Sequence, residues 1–242
     1  MAVNVHHPLA EIVLSLPRLA IAVSGGVDSM TLATFAHSVA PGNVEMLHAV
    51  SPAVQPAATA RVRKAAQQQN WHLTVTGTGE FNDPRYRDNP VNRCYFCKTN
   101  LYDRIRSLTT APIASGANLD DLGEYRPGLL AASERDVIHP FVQADMKKSD
   151  IRALARELGL DDVAELPAQP CLASRIETGI SIDPNDLAFV DRTEQLLYDE
   201  LGLSGDLRCR ITTSGVIIEL PENQMTDEIE HWLAAHCRDQ GR

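Results

Sequence analysis

An apolar run, Leu19-Ala20-Ile21-Ala22-Val23, leads directly into Ser24-Gly25-Gly26-Val27-Asp28-Ser29, and helical spacing then continues to about Ala40. No other stretch constrains the fold as strongly. A glycine pair between a buried strand and a helix lets the backbone come close to an anion. Its amides and the helix N-terminus form a positive concavity suited to phosphate. Ser24 and Ser29 can add hydroxyl donors, and Asp28 can hold magnesium. The plainer reading is a strand-to-helix turn without a ligand, which a glycine pair alone would not exclude. The loop is not the GxxxxGKS type, because no lysine follows the glycines.

The same strand-then-helix rhythm recurs. Strands are expected at 44–50, 71–76, 112–115 and 136–139, and helices at 57–70, 95–107 and 149–158. Residues 77–93 carry Gly, Asn, Asp and Pro and read as a loop. This alternation predicts an α/β fold, a doubly wound parallel sheet with right-handed crossovers. Ligands bind such sheets at the carboxyl ends of the strands. The turn after the first strand and the Gly116–Gly128 stretch after the fourth both belong to that edge. Beyond residue 160 the pattern changes. Asp183-Pro184 opens a helix to about Glu200, 207–212 and 215–220 alternate as a hairpin, and 221–237 reads as a last helix. The expected organisation is a first domain over 1–174 and a smaller α/β domain over 175–242.

A chain of 242 residues with 44% hydrophobic content can bury a core of that size. The formal net charge of -10 argues against binding dominated by the nucleic-acid backbone. No apolar run approaches the ~20 residues of a membrane span. The first residues lack the basic and apolar regions of a signal peptide. A cytoplasmic location is therefore expected, with the five cysteines as thiols or metal ligands.

Three further clusters carry chemistry. In Gly116–Gly128, Gly116 allows close approach to a nucleotide, and Asp120 or Asp121 can hold magnesium; a solvated loop is the plain alternative. Cys94 and Cys97 form a CxxC, which reads as a zinc site, a redox pair or iron–sulfur ligation. Cys209 sits on an alternating strand and reads as core, as does Cys237 near a helix end. Cys171 lies in an irregular, proline-bounded segment with Arg175 four residues on, where a guanidinium can stabilise a thiolate; a buried structural cysteine is the alternative. Arg208 and Arg210 share the strand face opposite Cys209. They suit a phosphate or carboxylate, or else a solvated edge, and Glu194 on the preceding helix can pair with them. Lys98 and Lys148 can reach phosphates or simply face solvent.

The Ser24–Ser29 string resembles the pyrophosphatase loop of enzymes that split ATP between its α- and β-phosphates, as in the adenine nucleotide alpha-hydrolase-like fold. Four strings occur in one order: Ser24–Ser29, Asn89-Pro90-Val91-Asn92-Arg93-Cys94-Tyr95-Phe96-Cys97-Lys98, Gly116–Gly128, and Pro167-Ala168-Gln169-Pro170-Cys171-Leu172-Ala173-Ser174-Arg175. Together they resemble the LarE family, sulfur transferases of nickel-pincer nucleotide synthesis. The chain departs from the family pattern at Glu177-Thr178, where Pro-Tyr is expected.

The resemblance implies ATP with Mg2+ at Ser24, Gly25, Gly26, Asp28, Ser29, Gly116, Asn118 and Asp121. It implies a small-molecule substrate, pyridinium-3,5-biscarboxylic acid mononucleotide, whose carboxylates become thiocarboxylates, with Arg208, Arg210 and Glu194 on the substrate side. It further implies a homo-oligomer and a nickel-inserting enzyme downstream; the net charge and the lack of a long apolar run already predict neither nucleic acid nor membrane as a partner. The family uses two sulfur sources. In one, a cysteine at the Cys171 position gives up its own sulfur. In the other, three cysteines hold a 4Fe-4S cluster. Cysteines at 94, 97 and 171 favour the cluster form. A tRNA-thiolating enzyme with the same loop and a non-catalytic zinc-stabilised nucleotide sensor are the alternatives from other classes.

Overall fold

The computed structural model describes residues 7–123, 125–221 and 224–241. The chain forms two compact units. The first comprises Met1–Glu80 and Asn92–Gln169, and the second comprises Phe81–Val91 and Pro170–Arg242.

The first unit is built on four parallel strands in the order β3-β2-β1-β4. They are β1 (Leu19–Ala22), β2 (Val44–Val50), β3 (Leu73–Gly77) and β4 (Ile113–Ala114). Its longer helices are α1 (Pro8–Leu14), α2 (Val27–Val39), α3 (Pro56–Gln69), α4 (Arg93–Leu108), α5 (Pro127–Ser133) and α6 (Lys148–Glu157). Alternate residues of the strands feed opposite faces, as the two-residue period of a strand requires. Leu19, Ile21, Val44 and Met46 pack with α1, α2, α3 and α6. Ala20, Leu47 and Ile113 pack with Tyr102 and Ile105 of α4 and Ala132 of α5. The sheet is thus covered on both faces, as its apolar strands demand.

The chain proceeds outward from β1 to β2 to β3, then crosses back through α4 to place β4 on the other side of β1. The strand order therefore reverses between β1 and β4. In open α/β sheets that reversal opens a crevice at the carboxyl edge.

Some expectations are corrected. The strand at 136–139 is reduced to a parallel bridge between Ala114 and Ile138. Asp136 takes a positive φ of 51° and Pro140 begins a short helical turn, which leaves too little extended chain for a strand. The loop at 77–93 contains two short helical turns, Glu80–Asn82 and Pro84–Arg87. Helix α1 has only seven residues, too few for its period to stand out in sequence. It is held by its cap, where His7 Nδ1 accepts from the Leu9 amide at 3.1 Å, and by the burial of Leu9, Ala10 and Val13.

In the second unit, α7 (Pro184–Asp199) starts on Asp183, whose side chain accepts from the Asn185 amide at 2.7 Å. Strands β5 (Arg208–Thr212) and β6 (Gly215–Glu219) form an antiparallel hairpin. Helix α8 (Asp227–Asp239) begins later than expected. Thr226 caps it by accepting from the Ile229 amide at 3.3 Å, and residues 222–223 lie outside the described residues. Leu197, Leu207, Ile229 and Leu233 form the core of this unit. The segment 81–91 joins it, with Tyr86 buried and edge-on to Phe81 at 5.3 Å between ring centroids.

Candidate functional site

At the carboxyl end of β1 the glycine turn is braced from within and from behind. The Ser24 amide donates to Ser29 Oγ at 3.0 Å, and the two serine hydroxyls lie 3.0 Å apart. Ser29 Oγ also donates to the Gly26 carbonyl at 3.2 Å. These hydroxyls therefore shape the loop as well as being available to a ligand. Gly25 has φ +89°, a conformation that favours glycine. A Cβ there would lie 2.8 Å from the Ala58 carbonyl oxygen of α3, so the loop sits directly on that helix. Arg61, one turn further along α3, donates to the Gly25 carbonyl at 2.6 Å. Gly26 caps α2 with no side-chain hydrogen bond to the first amides, which leaves the helix N-terminus open to an anion.

Asp28 projects from the first turn of α2. Its Oδ2 accepts from Lys148 Nζ at 2.5 Å, whereas its Oδ1 is buried and has no hydrogen-bond partner among the described residues. A buried carboxylate oxygen without a partner costs free energy unless a ligand supplies one. Gly116 follows β4 and closes the site from the other side of the crevice. A Cβ on it would stand 2.9 Å from the Ser29 amide nitrogen and 3.0 Å from Asp28 backbone and Cβ atoms.

The Gly116 loop is internally bonded. Asp121 Oδ2 accepts from the Asn118 amide at 3.0 Å, and its Oδ1 pairs with Arg126 at 2.8 Å. Asn118 is buried, and its Oδ1 accepts from the Asp120 amide at 3.0 Å. Asp120 Oδ2 accepts from the Lys148 amide at 2.9 Å. Lys148 thus joins the Gly116 loop through its backbone and the glycine turn through its side chain. Of the two lysines read in the sequence, this one reaches the site, because it opens α6 at the end of a chain segment that returns to the crevice.

Two histidines sit behind these loops. His48 Nδ1 contacts the Val23 carbonyl at 2.8 Å and its Nε2 contacts Thr59 Oγ1 at 2.9 Å. His139 Nδ1 lies 2.8 Å from Ser115 Oγ. Burial lowers both pKa values, against a hydrogen bond to Val23 for His48 and the charge of Asp121 for His139. Neither histidine, nor Arg61, stood out in the sequence. A lone His or Arg on a helix or strand end carries no spacing signal.

Cys94 and Cys97 lie on the first turns of α4, Cys94 exposed and Cys97 half-buried. Gly128 of α5 packs on this turn, with its Cβ position 3.1 Å from Lys98 Cγ and 3.7 Å from the Cys94 carbonyl.

Cys171 lies in the second unit, half-buried, and caps the 3-10 turn Leu172–Arg175 with its carbonyl accepting from the Ser174 amide at 2.9 Å. Arg175 does not serve Cys171 as expected. It is buried, and Nε and Nη2 donate to the two oxygens of Glu194 at 2.7 and 3.2 Å. Its charge is met there and turned into the core. Glu194 accordingly pairs with Arg175 and not with Arg208 or Arg210, and its Oε1 also accepts from the Cys209 amide at 3.0 Å. Cys209 is core, as its strand alternation predicts. Arg210 donates to Glu219 Oε1 at 2.6 Å and to the Ser174 carbonyl at 3.2 Å, and Arg208 lies 4.0 Å from Asp206. Both arginines remain partly exposed on the outer face of β5.

Among the described residues, no group of three or more His, Cys, Asp or Glu side chains is gathered to hold a metal ion. No described helix is long and apolar enough to cross a membrane.

No family model matches the chain. Among known proteins, the chain is 37% identical over 219 residues to a Synechocystis protein named "Uncharacterized protein slr1717", covering 89% of this chain and 81% of that one. It is 29% identical over 217 residues to the pyridinium-3,5-bisthiocarboxylic acid mononucleotide synthase of Lactiplantibacillus plantarum, covering 88% and 78%. It is 26% identical over 210 residues to the Methanocaldococcus jannaschii protein named "Uncharacterized protein MJ0830", covering 85% and 79%. Each match covers most of the chain and most of the relative, so the likeness is not confined to a short motif. The chain belongs to the same family as the Synechocystis protein.

Proposed function

We propose that this chain is an ATP-dependent sulfur transferase. It activates the carboxylates of pyridinium-3,5-biscarboxylic acid mononucleotide as adenylates and converts them to thiocarboxylates. The observation that carries the nucleotide half of this reading is Asp28. A buried carboxylate oxygen without a partner, beside uncapped helix amides and a lysine, is a site prepared for a cation and the phosphates it accompanies. Asp28 would hold Mg2+, which when bound neutralises triphosphate charge. The name of the L. plantarum relative supports the product, a thiocarboxylate on a pyridinium mononucleotide.

The residues divide the work. The Gly25–Gly26 amides and the α2 N-terminus bind phosphate charge, and their fixed orientation stabilises the charge that develops as pyrophosphate leaves. Asn118 and Asp121 keep the Gly116 loop closed against the turn. A substrate carboxylate oxygen forms a bond to the α-phosphorus as the bond to pyrophosphate breaks. Holding both reactants in one crevice supplies the proximity contribution. A sulfur nucleophile then adds to the acyl carbon and AMP departs. Arg208 and Arg210, on the outer face of β5, would bind the substrate's phosphate or carboxylate.

For the sulfur source we propose Cys94, Cys97 and Cys171 as ligands of a 4Fe-4S cluster. The donor set suits one, with three cysteines outside any disulfide, two of them three residues apart on α4. When bound, the cluster would supply a sulfide for transfer. In the second reading, Cys171 alone attacks the acyl carbon and its C–S bond then breaks. Adenylate, thiocarboxylate product, iron content and intact mass test the whole scheme. The cluster reading expects iron and acid-labile sulfide after anaerobic purification, and loss of multiple turnover in each single cysteine variant. The sacrificial reading expects active, iron-free protein that becomes ~34 Da lighter at Cys171, the mass of one hydrogen sulfide. No pyrophosphate release with any carboxylate substrate would overturn the scheme itself. By the same resemblance, the product would pass to a nickel-inserting enzyme, and the chain would act as a homo-oligomer.

A further inference from the structure

We infer that Asn89 is a positioning residue for the sulfur-transfer step. It ties the chain leading into the Cys94–Cys97 helix to the chain leading out of the Cys171 turn. This role rests on the sulfur-transfer reading above.

Asn89 is almost completely buried and holds a positive φ of 51°. Its side-chain Nδ2 faces three backbone carbonyls: Ile176 at 3.3 Å, Glu177 at 2.9 Å and Ile180 at 3.0 Å. A carboxamide has two N–H groups, so three acceptors share them, and the nitrogen must face this way because all three partners are acceptors. The backbone on either side adds to the staple. The Asn89 carbonyl accepts from the Gly179 amide at 2.9 Å, and the Arg87 carbonyl accepts from the Ile182 amide at 2.8 Å. Two short pieces of chain that are distant in sequence are thereby joined along their lengths.

The side-chain type follows from the geometry. Asparagine tolerates the left-handed conformation better than other residues with a Cβ, and it brings two donors on a short stem. Aspartate would fit the space but would turn an oxygen toward three carbonyl oxygens. Strain of this kind persists only where the surroundings over-determine it, and such residues cluster at functional sites.

What lies at each end of the staple gives it a function. Downstream of Asn89, Pro90 fixes the next φ, and the Asn92 carbonyl accepts from the Tyr95 amide at 2.8 Å where the helix that carries Cys94 and Cys97 begins. Upstream of Ile176, the Cys171–Arg175 turn is itself fixed, by the Arg175–Glu194 pair and by Arg210 on the Ser174 carbonyl. Ile176 and Glu177 are also pinned to β5, through the Ile176–Ile211 bridge and the Glu177 amide donating to the Ile211 carbonyl at 2.9 Å. Asn89 therefore joins the chain that runs on to the Cys94–Cys97 helix to the chain that leaves the Cys171 turn. Its three side-chain hydrogen bonds go to carbonyls of 176–180, on the chain that leaves the Cys171 turn. Its loss should affect sulfur transfer and spare adenylation.

The test uses the full chain with Asn89→Gly, which keeps the backbone conformation accessible, and Asn89→Asp, which keeps the shape. Amide hydrogen exchange is measured at Gly179 and Ile182. Substrate-dependent ATP–pyrophosphate exchange and thiocarboxylate formation are measured separately. The expected result in both variants is lost protection at the two amides and thiocarboxylate formation lowered about tenfold or more, with pyrophosphate exchange within about twofold of wild type. Equal losses in both half-reactions would make Asn89 merely structural and overturn the inference. So would unchanged amide protection, or unchanged thiocarboxylate formation after protection is lost. A wild-type protein that makes no thiocarboxylate overturns the sulfur-transfer reading and this role with it; that failure appears without any variant, and so is distinct from the others.

Discussion

Asp28 and Lys148 meet at 2.5 Å, yet only one carboxylate oxygen is engaged, and the other is buried without a partner among the described residues. A structural salt bridge would be expected to satisfy both oxygens. The arrangement suits an ion or ligand that takes up the second. Asp28→Ala should therefore abolish pyrophosphate release while far-UV circular dichroism stays native. A folded variant that releases pyrophosphate at a near-normal rate would remove Asp28 from the reaction. The Arg175–Glu194 pair makes the opposite case. Both side chains are buried, and Glu194 also receives the Cys209 amide. Removing one member leaves an unpaired buried charge, which costs about 3–5 kcal/mol. Glu194→Ala should lower the urea midpoint by a corresponding amount, and an unchanged midpoint would show that the pair does not hold the second unit together. Asp28 was legible in the sequence because its position in the glycine string is distinctive. The Arg175–Glu194 partnership was not, because nothing in the spacing says which of Arg175, Arg208 and Arg210 will meet Glu194.

At the level of elements, the site is a contact between two loops, one after β1 and one after β4. Gly116 sits so close to the Ser29 amide, 2.9 Å from its would-be Cβ, that a methyl group there must move the turn. Gly116→Ala is expected to weaken ATP binding about tenfold or more by isothermal titration, since shifting the loop misaims several phosphate donors at once. Gly123, with nothing within 4 Å of its Cβ position, is the control, and Gly123→Ala should bind ATP nearly as wild type. Similar affinities for the two variants would mean that the close approach at Gly116 does not shape the nucleotide site. The longer elements were readable from their periods. β1, β2, α2, α3, α4 and α7 lie where apolar spacing and caps put them, within a few residues. The failures were short elements, α1 and the turns at 80–82 and 84–87, which are set by caps and local packing, and the strand at 136–139. In that segment a positive φ and a proline outweighed β-rich composition.

The whole molecule carries a formal charge of -10, and a buried histidine, His48, and a half-buried one, His139, sit behind the site. Burial holds both below the ordinary value of 6.5. A histidine with a depressed folded pKa binds fewer protons folded than unfolded between its folded pKa and 6.5. Stability contributed by His48 and His139 is thus complete above about 6.5 and declines as pH falls toward their folded values. Thermal midpoints should drop between pH 7.5 and pH 5.5, and replacing both by Gln should flatten the drop; an equal drop in the double variant would place the acid sensitivity elsewhere. By itself the sequence determined the parallel α/β sheet, the placement of the glycine turn and Gly116 at its carboxyl edge, and the burial of Cys209. Hydrophobic period, strand alternation and glycine spacing are local properties, and local properties are written in order along a chain. Only the tertiary structure decided that 81–91 joins the unit of 170–242, that Lys148 reaches Asp28, that Glu194 takes Arg175, and that Asn89 gathers the carbonyls of 176–180. Those are pairings between residues far apart in sequence, selected by which buried polar groups need partners once the cores have closed.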